Sequence, residues 1–181
     1  MSKLIIVGGS LATGKTTIAA ALSNKTQITC VSMDVLKEHL FDVGGNRDRA
    51  WSKRIGHIAW QAFRQLIELH LEHHNDVIAE ATFLWPGDAD WIHEAAQTFG
   101  AELYQIWLTA DPVVARERFI RRAQTERHPG HNDQVDHVME EFDQKYFQHR
   151  FDPLPLKGET LVVDTTDFDA VDQEEICRFV G

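Results

Sequence analysis

An α/β domain built on a parallel sheet is predicted by two observations. Five short apolar runs are separated by longer amphipathic stretches, and the first run leads into a glycine-rich turn carrying lysine and threonine. The runs are Leu4–Val7, Ile28–Val31, Val77–Ala79, Leu103–Leu108 and Leu161–Val163. Helical crossovers between such strands make them parallel and cover the sheet on both faces. With 181 residues, 43% of them hydrophobic and 25% charged, the chain suits one domain with an ordinary core, taken as 1–181.

The first strand ends in Gly9-Ser10-Leu11-Ala12-Thr13-Gly14-Lys15-Thr16, which fits G-x-x-x-x-G-K-[ST] between a strand and the helix opening at Ile18-Ala19-Ala20. Glycines let successive N–H groups turn inward, and the helix start adds its positive dipole end, so the loop is expected to hold the phosphates of ATP. Lys15 would reach the β- and γ-phosphates, and the Thr16 hydroxyl would take one position on Mg²⁺. Thr17 completes the nucleotide-binding set, its side chain expected to pack beside the helix.

The second run is followed by Asp34, at the carboxyl end of its strand and so on the rim where ligands of parallel sheets gather. A carboxylate there can take the proton of an attacking hydroxyl or orient Mg²⁺ through water; it can also cap the helix beginning at Val35. Gly44-Gly45-Asn46 reads as a turn. Apolar spacing from Trp51 to Leu71 predicts a long helix over 50–74. Glu80 ends the third strand on the same rim, where it either holds metal-bound water or faces solvent. Pro86-Gly87-Asp88 closes a loop and starts a helix, with Asp88 as N-cap.

After the fourth strand, Asp111-Pro112 is a cap with proline at the first helical position. Arg116, Arg118, Arg121, Arg122 and Arg127 follow within twelve positions. Arg118 and Arg122 share a helix face, and with Arg127 they are read as an arginine-bearing lid, about 118–132, that closes on the triphosphate; the competing reading is a solvated face paired with Glu117 and Glu126. Pro129-Gly130 separates this helix from another near 132–148. His128 and His131 flank that pair, either touching phosphate or stabilising the loop. Asp164, after the fifth strand, is placed in a turn near the nucleotide base. His70, His73 and His74 read as a solvated helix end, lacking a third metal ligand.

A net charge of −10 disfavours a broad nucleic-acid footprint, and no apolar run approaches a membrane span. Met1-Ser2-Lys3 leads straight into a strand, so a cytoplasmic location is expected. Cys30 and Cys177, in apolar surroundings, are expected to be buried reduced thiols. Asn24-Lys25-Thr26-Gln27 lacks the acid of a guanine-reading segment.

In its phosphate loop, Asp34, Ala79-Glu80-Ala81-Thr82-Phe83 and the arginine segment through Arg127-His128-Pro129-Gly130-His131, the chain resembles small P-loop kinases of the zeta-toxin, chloramphenicol phosphotransferase and polynucleotide 5′-kinase type. That group more often carries aspartate at Glu80. The resemblance implies a P-loop NTPase three-layer sandwich with strand order 2-3-1-4-5, Lys15 in the loop, Asp34 as base, and Arg118, Arg122 and Arg127 as lid arginines. The acceptor would enter between the helices of residues 35–60 and the loop near 81–88. The expected activity is ATP- and Mg²⁺-dependent phosphorylation of a hydroxyl on a small molecule. The rivals are polynucleotide 5′-hydroxyl phosphorylation and a nucleotide-controlled switch or ATPase without an acceptor. Leu36, Phe41, Trp51, Trp60 and Trp85 are either pocket lining or core.

Overall fold

The computed structural model describes residues 1–85, 87–125, 127–131 and 151–181; the expected helix near 132–148, Pro86 and Glu126 lie outside them. Five strands form one sheet: β1 (Lys3–Gly9), β2 (Thr29–Ser32), β3 (Val77–Glu80), β4 (Glu102–Thr109) and β5 (Glu159–Asp164). All neighbours are parallel, in the order β2-β3-β1-β4-β5. β1 is central, and the registers Val7↔Glu80, Ser32↔Glu80 and Val7↔Ile106 bring the carboxyl ends of β1 to β4 to one rim.

Alternation along β1 builds two cores. Leu4 and Ile6 face a cluster with Phe63, Ile67, Trp91 and Trp107, covered by α3 (Arg49–Glu72) and α4 (Asp88–Phe99). Ile5 and Val7 face Ile18, Leu22, Ile176 and Val180 of α1 (Lys15–Thr26) and α6 (Gln173–Val180). Leu4 to Val7 are fully buried, as a central parallel strand requires. The sandwich therefore has three layers. Among the described residues, the other α-helices, α2 (Met33–Gly44) and α5 (Pro112–Thr125), lead off the rim.

Helix starts confirm some expected caps and correct others. Asp111 Oδ1 accepts from Val113 and Val114 N–H, leaving Pro112 at the first helical position. Asp34 is not the cap of α2: Ser32 is, its Oγ accepting from Val35 N–H at 3.5 Å, while Asp34 is the second residue of the helix, within its first turn. Asp88 likewise falls inside α4, which Gly87 caps, and its Oδ2 instead accepts from Trp85 N–H. Asp48 caps α3 through Trp51 N–H. The helix at 173–180 has no counterpart among the elements expected from the sequence, although Asp172 caps it through Glu174 and Glu175 N–H and Ile176 and Val180 lie one turn apart. Among the described residues, no helix is long and apolar enough to cross a membrane. Cys30 and Cys177 are half-buried and free, the Cys30 thiol pushed up to about 12 by burial with Glu80 adding to it.

Candidate active site

The loop between β1 and α1 is held by its own side chains. Gly9 takes a φ of 130° against β4, where a Cβ would stand 2.1 Å from the Leu108 carbonyl oxygen, so the chain leaves the sheet at a point only glycine fits. Ser10 and Thr13 are buried, and the Ser10 carbonyl accepts both Thr13 Oγ1 and Lys15 Nζ, the latter at 2.6 Å. Ala12, at φ 59°, is a left-handed residue with a Cβ, a strain that the G-x-x-x-x-G-K pattern did not announce. Leu11, Ala12, Gly14, Lys15, Thr16 and Thr17 line a cleft of about 980 Å³, whereas Gly9, Ser10 and Thr13 support it from behind. Thr17 is exposed toward this cleft and does not pack beside the helix.

Two carboxylates border Lys15 in the cleft. Burial pulls the Lys15 ammonium below its ordinary pKa, with Glu80 and Asp34 working against that loss. Glu80 is 3% exposed and accepts from Ser32 Oγ, whose lone pairs also serve Val35 N–H, so one serine ties the β3 acid to the start of α2. Burial raises the Glu80 pKa, opposed by Lys15 and the Ser32 hydroxyl. Its reading as a solvent-facing acid is corrected. Asp34 is enclosed by protein yet keeps 41% of its side-chain surface toward the cleft. Burial alone would raise its pKa, but Arg127, Lys15 and Arg122 outweigh that and hold the carboxyl below its ordinary value. His131, near the same carboxylate, adds little as a charge because it is neutral at physiological pH, as shown below.

The arginines divide by role. Arg118 donates to the carbonyls of Thr165 and Thr166 at 2.8 and 2.9 Å, fastening α5 to the turn after β5. Asp164 orders that turn by accepting from Thr166 N–H and Oγ1, and it does not line the cleft. Arg122 lines the cleft and acts on Lys15, Asp34 and Glu80. Arg127 NH1 lies 3.5 Å from Asp34 Oδ2. The segment 127–131 is docked on α2 and α3: His128 stacks on Phe41, Gly130 seats against the same ring, and the His131 carbonyl accepts from Ser52 Oγ. Of the span 118–132 expected as an arginine lid, residues 118–125 belong to α5 and 127–131 are docked on α2 and α3, while 126 and 132 lie outside the described residues.

Beyond the phosphate loop the cleft is also lined by Met33, Lys37, Trp60, Phe83, Leu84 and Trp85. Of the five apolar residues read as pocket or core, Trp60 and Trp85 line it. Phe41 is 1% exposed beneath His128 and His131, Leu36 packs against the core, and Trp51 carries the Arg47 guanidinium 4.4 Å from its ring centre. Lys37, Phe119 and Phe168 border the cleft without a signal in the sequence, and Phe83 joins them from the Ala79–Phe83 segment. Phe83 is held at φ 51°, a conformation no sequence pattern reveals. His73 ends α3 and, among the described residues, no group of three His, Cys, Asp or Glu is arranged to hold a metal.

The AAA domain family model matches residues 4–146, which span the phosphate loop, both carboxylates and the arginine helix. The chain belongs to the AAA domain family. A provisionally assigned kinase from Chloroflexus aurantiacus is 34% identical over 99% of this chain and 96% of its own, with a TM-score of 0.88. Gluconokinase from Sinorhizobium meliloti (TM-score 0.54, 14% identity, 98% of this chain and 87% of that one) shares the fold. So does shikimate kinase from Bacteroides thetaiotaomicron (0.53, 16%, 97% and 93%). No curated protein sequence matches the chain. This AAA domain is thus a kinase-like P-loop NTPase fold, which implies nucleotide binding. For a divalent cation it offers hard oxygen donors: the exposed Thr16 hydroxyl and the Asp34 and Glu80 carboxylates on one cleft. So sparse a protein set fits Mg²⁺, which keeps water and phosphate oxygens in its shell.

Proposed function

We propose that the chain is an ATP-dependent kinase that transfers the γ-phosphoryl group to a hydroxyl of a small molecule. The observation that carries this reading is Asp34, a carboxylate held below its ordinary pKa beside Lys15 and Arg127, on the cleft that the phosphate loop shares with Met33, Trp60, Phe83 and Trp85. Loop amides and Lys15 hold the phosphates. The acceptor hydroxyl attacks the γ-phosphorus, its proton passes to Asp34, and the bond to the β,γ-bridging oxygen breaks with its electron pair leaving on ADP. Arg122 and Arg127 offset charge on the transferring group, and Arg118, which lines the same cleft, would add to nucleotide binding. Mg²⁺, when bound, would neutralise phosphate charge from Thr16, with Glu80 holding it through water. The apolar wall suits an acceptor with an apolar face beside its hydroxyl.

ADP formation from Mg²⁺-ATP, measured with sugar acids, apolar alcohols and short oligonucleotides, tests the reading beside Asp34→Asn. Acceptor-stimulated turnover should fall by about 10²–10⁴ in the variant, with ATP affinity within about twofold of normal. Tight ATP binding with no acceptor-stimulated turnover across the panel would instead favour a nucleotide-controlled switch.

A further inference from the structure

Asp34, Glu38 and Asp42 recur every fourth residue along α2, so their carboxylates make one stripe. The docked segment runs along it. Arg127 meets Asp34 at 3.5 Å, His131 Nε2 lies 3.0 Å from Glu38 Oε1, and His128 Nε2 lies 3.1 Å from Asp42 Oδ1. Phe41 fills the space between, stacked under His128 and edge-on to His131, each with ring centres 5.6 Å apart. Three polar contacts, one aromatic seat and the Ser52 hydroxyl on the His131 carbonyl therefore fix five consecutive residues.

The hydrogen bonding fixes the tautomer of His131. A guanidinium only donates, so its 3.1 Å contact with His131 makes Nδ1 the acceptor. The ring proton then sits on Nε2 and is donated to Glu38. The ring is 3% exposed, and burial together with the nearby Arg127 pulls its pKa down to about 3, so this tautomer persists through the physiological range.

We propose that His131 is a positioning residue for phosphoryl transfer: oriented by Glu38, its imidazole holds the Arg127 guanidinium in place between Asp34 and the transferring group. Arg127 ends a long, rotamer-rich stem, and a stabiliser of developing charge must be in place before the reaction. Contacts from NH1 to Asp34 and from NH2 to His131 fix both the position and the plane of the fork. Glu38 contributes at one remove, and the acid stripe of α2 is the rail on which the unit assembles. The inference rests on the kinase reading, which gives Arg127 its phosphoryl group.

The test is calorimetric titration of the protein with Mg²⁺-ADP, with and without aluminium fluoride as a stand-in for the transferring phosphoryl group. Wild type is compared with Arg127→Met, His131→Leu, His131→Asn and the Arg127→Met/His131→Leu double variant. Arg127→Met should weaken the fluoride complex on the order of a hundredfold while Mg²⁺-ADP binding alone changes less than about twofold. His131→Leu should weaken it about tenfold, His131→Asn should restore most of that because its amide oxygen replaces the Nδ1 acceptor, and the double variant should bind no worse than Arg127→Met. Glu38→Ala, on a half-exposed side chain, tests the same link should His131→Leu fail to fold, with a loss of several-fold expected. Wild-type fluoride binding in His131→Leu, or a full additive loss in the double variant, overturns the inference and leaves the arginine's role standing. An Arg127→Met variant that binds the fluoride complex normally overturns both that role and the inference.

Discussion

Asp34 and Asp88 are both enclosed carboxyls, and their surroundings move them in opposite directions. Beside Arg127, Lys15 and Arg122, Asp34 is held below its ordinary 3.8 despite burial. A depressed carboxylate adds stability above its unfolded pKa and loses it as pH falls through the lower folded value, so Asp34 stays ionised wherever the protein works. The acid limb of acceptor-dependent kcat/KM should then lie below about pH 4. A pH–rate profile checks this, and an acid limb near neutrality would point to another base. Burial of Asp88, offset in part by Trp85 N–H and the charge of Arg64, pushes it up to about 6. The fold here binds the proton more tightly than the unfolded chain, so its contribution is favourable when protonated and is lost as pH rises through 6. Asp88→Asn keeps an acceptor for Trp85 N–H and should be more stable by roughly 1–2 kcal/mol at pH near 7.5, the gain shrinking toward about pH 4. Urea unfolding at both pH values decides it; a variant weaker than wild type at the higher pH contradicts the assignment.

At the scale of elements, the packing of residues 127–131 on α2 turns on one glycine. A Cβ on Gly130 would stand 2.3 Å from a Phe41 ring carbon and 2.6 Å from Asn46 Oδ1, with Phe41 already fully buried. Gly130→Ala should cost about 1–3 kcal/mol through overpacking, and by shifting Arg127 should lower acceptor-stimulated turnover more than ATP affinity. Thermal melts read beside kinetics separate the two effects; an unchanged melt and rate would mean the segment gives way freely. The phosphate loop, the strands and the long helix were legible in the sequence because each is a local pattern of period, glycine and flank. Two residues that both cap well and stand two positions apart, Ser32 and Asp34, defeated the assignment of the α2 start, since local preference does not say which one the rim leaves free. The 34, 38, 42 spacing was present in the sequence all along, but the partners of those acids stand some ninety residues further on and meet them only once the sheet is built. For the same reason the Phe83 backbone and the fastening of Arg118 to the Thr165 and Thr166 carbonyls carried no local signal.

Over the whole molecule, charge is sorted by place. Lys15, Lys37, Arg118, Arg121, Arg122 and Arg127 line the cleft beside Asp34 and Glu80, although the chain carries a net −10. Its 18 basic and 28 acidic side chains therefore leave twelve basic and twenty-six acidic ones elsewhere. At physiological ionic strength the screening length is about 8 Å, so an anion inside the cleft responds chiefly to the cations around it. A polyanion that extends past the rim meets side chains whose charges sum to a net negative value, which opposes each further phosphate. Inorganic triphosphate should thus compete with ATP, and should lose affinity as salt rises from about 50 to 200 mM, while single-stranded DNA of about 30 nucleotides, at equal phosphate concentration, should not compete at either salt. Displacement of a fluorescent ATP analogue measures both. Competition by the long DNA, with a salt slope of several phosphates, would show a basic track leading out of the cleft and would move the acceptor from a small molecule to a polynucleotide end.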